Sequence, residues 1–147
     1  MKKNAIIIAV SSLLLTILDQ ITKWAAFQYL EEPLHLNSWI SLEYAENTGV
    51  AFSIPVPPIF MIPLTVILLG GIILYSRQHF NYNSPTTWVC FSLIYGGALG
   101  NLYDRMSLGY VIDFIKIGWW PVFNLADAFL TAGIFLVLAF YGKIRRT

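Results

Sequence analysis

Long apolar segments alternate with shorter polar ones along the chain. Four apolar segments approach the roughly 20 residues that a helix needs to cross a bilayer, and they cover about residues 5–26, 59–75, 86–103 and 122–141. Tyrosine and tryptophan residues lie near several of their ends, as is typical of the membrane–water interface. The pattern predicts an all-α membrane protein in which four transmembrane helices form a single polytopic domain over residues 1–147.

Two connections between the predicted helices are long enough to hold structure of their own, and they cover about residues 27–58 and 104–121. In the first connection, Ser38–Tyr44 alternates apolar and polar residues, and Val50–Ile54 is apolar and β-prone. Asn47–Gly49 has the composition of a turn between them. We therefore predict a small β-sheet on the outer surface from the first connection, and a loop or short helix in the second.

The composition supports a membrane protein and excludes several other classes. Hydrophobic residues make up 57% of the chain and charged residues 12%, with a mean hydropathy of +0.66, whereas an average soluble domain carries about 25% charged residues. The formal net charge of +1 argues against a nucleic-acid partner, which requires a basic surface. One cysteine and two histidines are too few for an internal disulfide or a thiolate-rich or imidazole-rich metal site.

The basic residues predict how the chain lies in the membrane. An even number of spans places both termini on one side, together with the loop between the second and third spans. That side carries six basic residues, namely Lys2, Lys3, Arg77, Lys143, Arg145 and Arg146. The opposite loops carry only Arg105 and Lys116. Because cytoplasmic loops are enriched in lysine and arginine, we predict that both termini are cytoplasmic.

The predicted topology brings all four aspartates to the outer face of the membrane. Asp19 lies toward the outer end of the first span, Asp104 ends the third, and Asp127 lies in the first turns of the fourth. Asp113 lies in the second outer connection between apolar neighbours. Ionisable groups at membrane depth are energetically costly and are therefore functional candidates by default.

Helical spacing groups these acids with other polar residues. Three sets fall at intervals of three or four residues and so share a helix face: Asn101 with Asp104 and Arg105, Asn124 with Asp127, and Asp19 with Lys23. The glycines at positions 96, 97 and 100 allow neighbouring helices to approach closely. Two carboxylates held close together do not both ionise readily, and this arrangement yields an acid beside a base.

Structural explanations for the same residues stay open at this point. They are an ion pair of Asp19 with Lys23, a helix-end anchor at Asp104 and Arg105, a helix-dipole role for Asp127, a solvated loop acid at Asp113, and a turn at Asn47. Three classes of function also stay open, namely an enzyme, a small proton-coupled transporter or channel, and a structural membrane subunit. A proton relay should cross the membrane, whereas no acid lies in the inner half of any predicted span.

Five segments together resemble the motifs of the lipoprotein signal peptidase (signal peptidase II) family, in that family's order: Asp19–Lys23, Asn47–Ser53, Gly97–Arg105, Val111–Phe114 and Phe123–Asp127. The resemblance covers most of the chain and extends to its length and four-span topology. It implies a bacterial inner-membrane aspartic endopeptidase with its active site at the periplasmic face. The implied substrate is a prolipoprotein whose cysteine carries diacylglycerol, cut on the amino side of that cysteine.

The resemblance also implies roles for individual residues. The catalytic pair maps onto Asp113 and Asp127. Positions that support this pair or hold substrate map onto Asn47, Asn101, Arg105 and Asn124, and structural polar positions onto Asp19, Lys23 and Asp104. The resemblance implies neither a metal nor a cofactor, and we expect a monomer within the lipid bilayer.

Two positions depart from the family pattern. Val50 stands where alanine is more usual, which is a mild change near the substrate. Asp113 and Asp127 are only 14 residues apart, which is short for the family, and the missing length falls around Lys116–Pro121.

Overall fold

The computed structural model describes residues 2–50, 54–55 and 58–146. The helices are α1 (Lys2–Tyr29), α2 (Pro58–His79), α3 (Pro85–Ser107), α4 (Leu125–Ala139) and α5 (Tyr141–Ile144). The strands are β1 (Leu34–His35), β2 (Ile40–Asn47), β3 (Gly49–Val50), β4 (Ile54–Pro55) and β5 (Val111–Ile117). The protein is therefore mostly helical with a small amount of sheet, as the sequence predicts.

Among the described residues, two helices are long and apolar enough to cross a membrane by themselves. They correspond to α1 from Lys3 to Tyr29 and to α2 from Ile59 to His79. Many of their large apolar side chains are exposed, including Leu14 and Ile67, which are 61% and 70% exposed. Water-soluble proteins rarely present so large a continuous apolar surface, so these faces suit contact with lipid.

The other two predicted spans are also helical, but they differ from α1 and α2. α3 has 23 residues and contains many buried positions, because it packs against both α1 and α4. α4 is apolar and has only 15 residues, which corresponds to about 22 Å. α5 follows α4 after an interruption at Phe140, whose carbonyl still accepts a hydrogen bond from the Ile144 N–H at 3.0 Å. The segment predicted as the fourth span, about residues 122–141, thus contains α4, and α5 begins at its last residue.

Two α3 glycines allow the close packing that the sequence predicts. A Cβ atom at Gly97 would overlap the carbonyl oxygen of Ala126 at the start of α4. A Cβ atom at Gly100 would lie 2.5 Å from the Oδ2 atom of Asp19 in α1. Any larger side chain at these two positions would push α3 away from its neighbours.

The main sheet joins the two long connections of the chain, and we call the end of the helices where it lies the sheet end. Its strand order is β1-β2-β5 and both pairings are antiparallel. Ala45 is paired with Asp113, and Asn47 with Val111. β3 pairs with β4 separately.

The structure corrects two expectations about these connections. The predicted partner of the first strand was Val50–Ile54, yet β2 pairs with β5 from the second connection. Of that predicted segment, residues 51–53 lie outside the described residues. The loop or short helix expected in the second connection was wrong, because residues 111–117 form a strand. Their β-branched and aromatic side chains favour an extended backbone that can pair with β2.

An apolar core holds the helices together at the end opposite the sheet. Its buried members are Ile8, Phe80, Cys90, Phe91, Ile94, Tyr95 and Ile144. The Asn81 N–H donates to the Ile144 carbonyl at 2.7 Å, which fastens the C-terminal segment to the connection between α2 and α3. This end is packed through apolar contacts, whereas the buried charged groups that the structure describes, Asp19, Lys23, Asp104 and Asp113, lie at the sheet end.

Candidate active site

Asp113 lies on β5 with its carboxyl group buried between two asparagines. The side chain is 2% exposed. Its Oδ1 atom accepts a hydrogen bond from Asn124 Nδ2 at 2.6 Å, and its Oδ2 atom accepts one from Asn47 Nδ2 at 3.0 Å. Asn47 also accepts from the Gly49 N–H at 3.0 Å, so it forms the predicted turn and holds Asp113 at the same time.

Asp127 lies in the first turn of α4, as predicted. Asn124 is the N-cap residue of this helix, and its Oδ1 atom accepts from the Asp127 N–H at 2.9 Å. The Asp127 Oδ2 atom accepts in return from the Asn124 N–H at 3.3 Å, which completes a capping box. A reciprocal cap satisfies two otherwise unpaired backbone donors, so the helix start and the position of Asp127 are determined together.

Two buried amide side chains connect Asp113 to Asp127. Asn101 on α3 donates from Nδ2 to Asp127 Oδ1 at 2.7 Å. Asn124 donates from Nδ2 toward Asn101 Oδ1 at 3.1 Å as well as to Asp113. The two carboxyl groups therefore belong to one hydrogen-bonded assembly, which contains residues from β2, β5, α3 and α4.

The pKa of Asp113 is raised from 3.8 to about 6. The largest cause is burial, which disfavours the charged carboxylate, and the negative charge of Asp127 raises it further. Hydrogen bonds from Asn47 and Asn124 act in the opposite direction, and so does the positive charge of Lys23. A carboxyl group with this pKa exchanges protons close to neutral pH, as general acid–base chemistry requires.

Both aspartates open onto one cavity of about 620 Å³. Its polar lining includes Asn47, Asn101, Arg105, Lys116 and Thr131, and its apolar lining includes Phe123, Leu130 and Ile134. The Arg105 Nη2 atom donates to the Gly49 carbonyl at 3.3 Å, and its Nη1 atom donates to the Asn101 carbonyl at 3.4 Å. Arg105 therefore joins α3 to β3 at the edge of this cavity.

A second polar cluster lies behind the cavity and is fully buried. Lys23 Nζ lies 2.9 Å from Asp19 Oδ2 and 2.9 Å from Asp104 Oδ2, and the three side chains are 0–1% exposed. The predicted pairing of Asp19 with Lys23 is confirmed. Asp104, which helical spacing grouped with Asn101 and Arg105, contacts α1 instead of the cavity.

Gln20 is a member of this cluster that the sequence reasoning missed. Its Nε2 atom donates to Asp104 Oδ1 at 2.8 Å and lies 3.2 Å from Asp19 Oδ2. Its position beside Asp19 within an apolar helix could have indicated this role, because buried polar groups need hydrogen-bond partners. Within the described part of the chain, no group of three His, Cys, Asp or Glu side chains is arranged to hold a metal ion.

The chain is similar to known proteins along most of its length. A family model described as Signal peptidase (SPase) II matches residues 11–142. The chain belongs to the signal peptidase II family. The resemblance seen in the five sequence motifs is thereby confirmed, and the molecule is a protease of a membrane-enzyme family.

Individual relatives extend over nearly the same length. A lipoprotein signal peptidase of Chlorobaculum tepidum is 37% identical, over 87% of this chain and 89% of that protein. One of Caldicellulosiruptor bescii is 44% identical, over 82% of this chain and 81% of that protein. A bacterial membrane enzyme solved by the in meso method at 2.3 Å resolution superposes with a TM-score of 0.80 at 29% identity, covering 92% of this chain and 87% of that one.

Proposed function

We propose that this member of the signal peptidase II family is an aspartic endopeptidase that uses Asp113 and Asp127 as its catalytic pair. The single observation that supports this assignment is that both carboxyl groups open onto one cavity and are joined by Asn101 and Asn124. The proposed substrate is a prolipoprotein with a diacylglyceryl-modified cysteine, cut on the amino side of that cysteine. A role of this protein in lipoprotein processing follows from its membership of the family.

The proposed reaction uses one ionised and one protonated aspartate. The ionised carboxylate takes a proton from water, and the resulting oxygen nucleophile adds to the scissile carbonyl carbon. The protonated carboxyl group donates a hydrogen bond to the carbonyl oxygen as it gains negative charge. When the C–N bond breaks, the leaving nitrogen accepts a proton from the pair. The two carboxyl groups share one set of titrations, so acid and base are assigned to the pair and not to either residue.

The surroundings of the pair suit this chemistry. Burial and the charge of Asp127 raise the pKa of Asp113 to about 6, so that the Asp113 carboxyl group exchanges its proton close to neutral pH. Asn47 donates a hydrogen bond to Asp113, and Asn101 donates one to Asp127, which orients the two carboxyl groups. We propose that Arg105, at the cavity edge, binds a backbone carbonyl of the substrate.

We further propose a monomer with four membrane spans in the bacterial inner membrane, both termini being cytoplasmic. The exposed apolar faces of α1 and α2 support two spans. α3 is long enough for a third at 23 residues, and α4 with α5 covers residues 125–144. In this arrangement the sheet end faces the periplasm, so that water reaches the aspartates while the acyl chains of the substrate stay in lipid.

The transporter alternative finds no support in the family or in the relatives. The structure also places Asp19, Asp104, Asp113 and Asp127 in adjoining clusters at the sheet end. A proton pathway would need acceptors distributed across the membrane.

The decisive experiment is cleavage of a diacylglyceryl-modified prolipoprotein by purified protein in detergent. Asp113→Asn and Asp127→Asn should each abolish cleavage, while Glu31→Gln, an exposed acid in the first connection, should keep the activity of the unmodified chain. Each carboxyl group accepts hydrogen bonds at both of its oxygens, whereas an asparagine amide accepts at one, so thermal unfolding of each variant is measured to separate inactivity from loss of folding. Full cleavage by either asparagine variant would show that the catalytic pair is assigned wrongly.

A further inference from the structure

The buried cluster of Asp19, Lys23 and Asp104 contacts the backbone directly beside both proposed catalytic residues. Asp19 Oδ1 accepts from the Ala126 N–H at 2.9 Å, one residue before Asp127. Asp104 Oδ2 accepts from the Ile112 N–H at 3.1 Å, one residue before Asp113. The ammonium group of Lys23 lies 2.9 Å from each of these carboxylates. The Lys23 cation therefore joins Asp19 and Asp104, the two carboxylates that hold the backbone beside the proposed catalytic pair.

Lys23 also makes a third contact, which reaches the pair through a side chain. Its Nζ atom donates to Asn101 Oδ1 at 3.0 Å, and Asn101 Nδ2 donates to Asp127 Oδ1 at 2.7 Å. An ammonium group can only donate hydrogen bonds. Asn101 must therefore turn its oxygen toward Lys23, which leaves its NH₂ group facing Asp127. Asn124 Nδ2 reinforces this orientation from the other side at 3.1 Å.

We propose that Lys23 is a positioning residue for peptide cleavage. It keeps Asp113 and Asp127 in fixed positions relative to each other, and it orients the Asn101 amide toward Asp127. The proposal rests on the assignment of the catalytic pair under the proposed function. It gives Lys23 a role in the reaction beyond that of an ion pair between two turns of α1.

The charge of Lys23 supplies an independent argument. It lowers the pKa of Asp113, against the raising effects of burial and of Asp127. The other charged groups around the pair are Arg105 on α3 and Glu46 and Lys116 on the cavity wall, while Asp19 and Asp104 lie with Lys23 in the buried cluster behind the cavity. Because these groups keep their charges when Lys23 is neutralised, Asp113 would lose the effect of one nearby cation and hold its proton more tightly.

The test compares Lys23→Met, Lys23→Arg and the control Lys143→Met, which removes an exposed cation near the C-terminus. For Lys23→Met we expect kcat to fall by about 10–100-fold, because a misplacement of reacting groups by about 1 Å can cost about 100-fold in rate. KM should change by less than about twofold, because Lys23 does not line the cavity. The limb of the pH–rate profile that reports Asp113 should move to higher pH by about half a unit or more. Lys23→Arg should restore the profile, and Lys143→Met should behave as the unmodified protein.

A merely structural role would give a different result. If kcat falls by the same factor at every pH while the limb that reports Asp113 stays in place, or if Lys23→Met keeps the original kcat, the proposal is overturned. Lys23→Met leaves two buried carboxylates without their cation, so it risks misfolding. The double variant Asp19→Asn/Lys23→Met keeps the net charge of the cluster and the acceptor for Ala126. A lower kcat at unchanged KM in that variant supports the proposal, and an unchanged kcat contradicts it.

Failure of this inference is distinguishable from failure of the proposed function. Asp113→Asn and Asp127→Asn are measured in the same assay. If either of them cleaves normally, the catalytic pair is wrong, whatever Lys23 does. If both are inactive while Lys23→Met retains the original rate and pH profile, only the role of Lys23 is refuted.

Discussion

Replacing Gly97 with alanine should displace α4 and thereby the proposed catalytic residue Asp127. A Cβ atom at Gly97 would overlap the Ala126 carbonyl oxygen and lie 3.0 Å from both the N and Cγ atoms of Leu130. Carbon atoms in contact prefer separations of about 3.5–4.0 Å, so α4 must move by about 0.5–1 Å. The contacts are mostly with backbone, which cannot move aside as a flexible side chain would.

The displacement acts on both stability and catalysis. Overpacking of this kind costs about 1–3 kcal/mol, partly offset by the helix preference of alanine over glycine of about 1 kcal/mol. The overlapped oxygen belongs to Ala126, the residue before Asp127, so the shift is transmitted directly to the carboxyl group. Because a misplacement of about 1 Å can cost about 100-fold in rate, we expect Gly97→Ala to lower kcat by about 10–100-fold.

The matched controls are Gly70→Ala and Gly71→Ala in α2, where a new Cβ atom meets nothing within 4 Å. These variants should keep the original activity and melt at the same temperature or slightly higher. Thermal unfolding in detergent and cleavage of the lipid-modified substrate give the two readouts. A Gly97→Ala protein with unchanged kcat and melting temperature would refute the argument that α3 and α4 are in contact at this glycine.

Three further measurements test the electrostatics, the helix cap and the topology. The raised pKa of Asp113, about 6 against 3.8 for the free group, means that its stabilising contribution is complete below about pH 3.8 and disappears as the pH rises through about 6. The melting temperature of the unmodified protein should therefore rise relative to that of Asp113→Asn as the pH falls across this interval, and a constant difference would contradict the raised pKa. Asn124→Ala removes the N-cap of α4, at a cost of about 1–2 kcal/mol. It also removes a hydrogen bond that lowers the pKa of Asp113, so the acidic limb of the cleavage profile should move to higher pH; an unmoved limb would argue against this contact. In a Cys90→Ala background, a membrane-impermeant thiol reagent applied from outside should label Glu31→Cys and not Lys143→Cys, whereas equal or reversed labelling would contradict the four-span topology.

Helical periodicity predicted part of the site correctly, and its limits have a geometric cause. Asn101, Asp104 and Arg105 were placed on one face of α3 because their spacing is three and four residues. Steps of three and four residues lie on opposite sides of the starting direction, about 100° apart from each other. Since α3 packs between α1 and α4, Asp104 contacts Lys23 while Arg105 reaches the cavity.

Strand pairing in the sheet shows a second limit of prediction from the sequence pattern. The turn at Asn47 and the alternation of the first connection correctly indicated a strand, but they gave no information about its partner. The alternation of apolar and polar residues predicts which face of a strand is buried. The strand that pairs with it depends on which segments of the chain the helices bring together. β5 pairs with β2 because α3 ends at the sheet end and returns the chain there.

The sequence by itself determined the membrane character, the helical segments, the candidate aspartates and the family resemblance, because each depends on composition or on spacing within one segment. Only the tertiary structure decided that Asn124 contacts Asp113 as well as capping α4, and that buried Lys23 reaches Asn101. Such contacts depend on distances between helices and on strand register. Periodicity within a segment gives the direction of a side chain around its own axis, but it does not specify the atom that the side chain will meet.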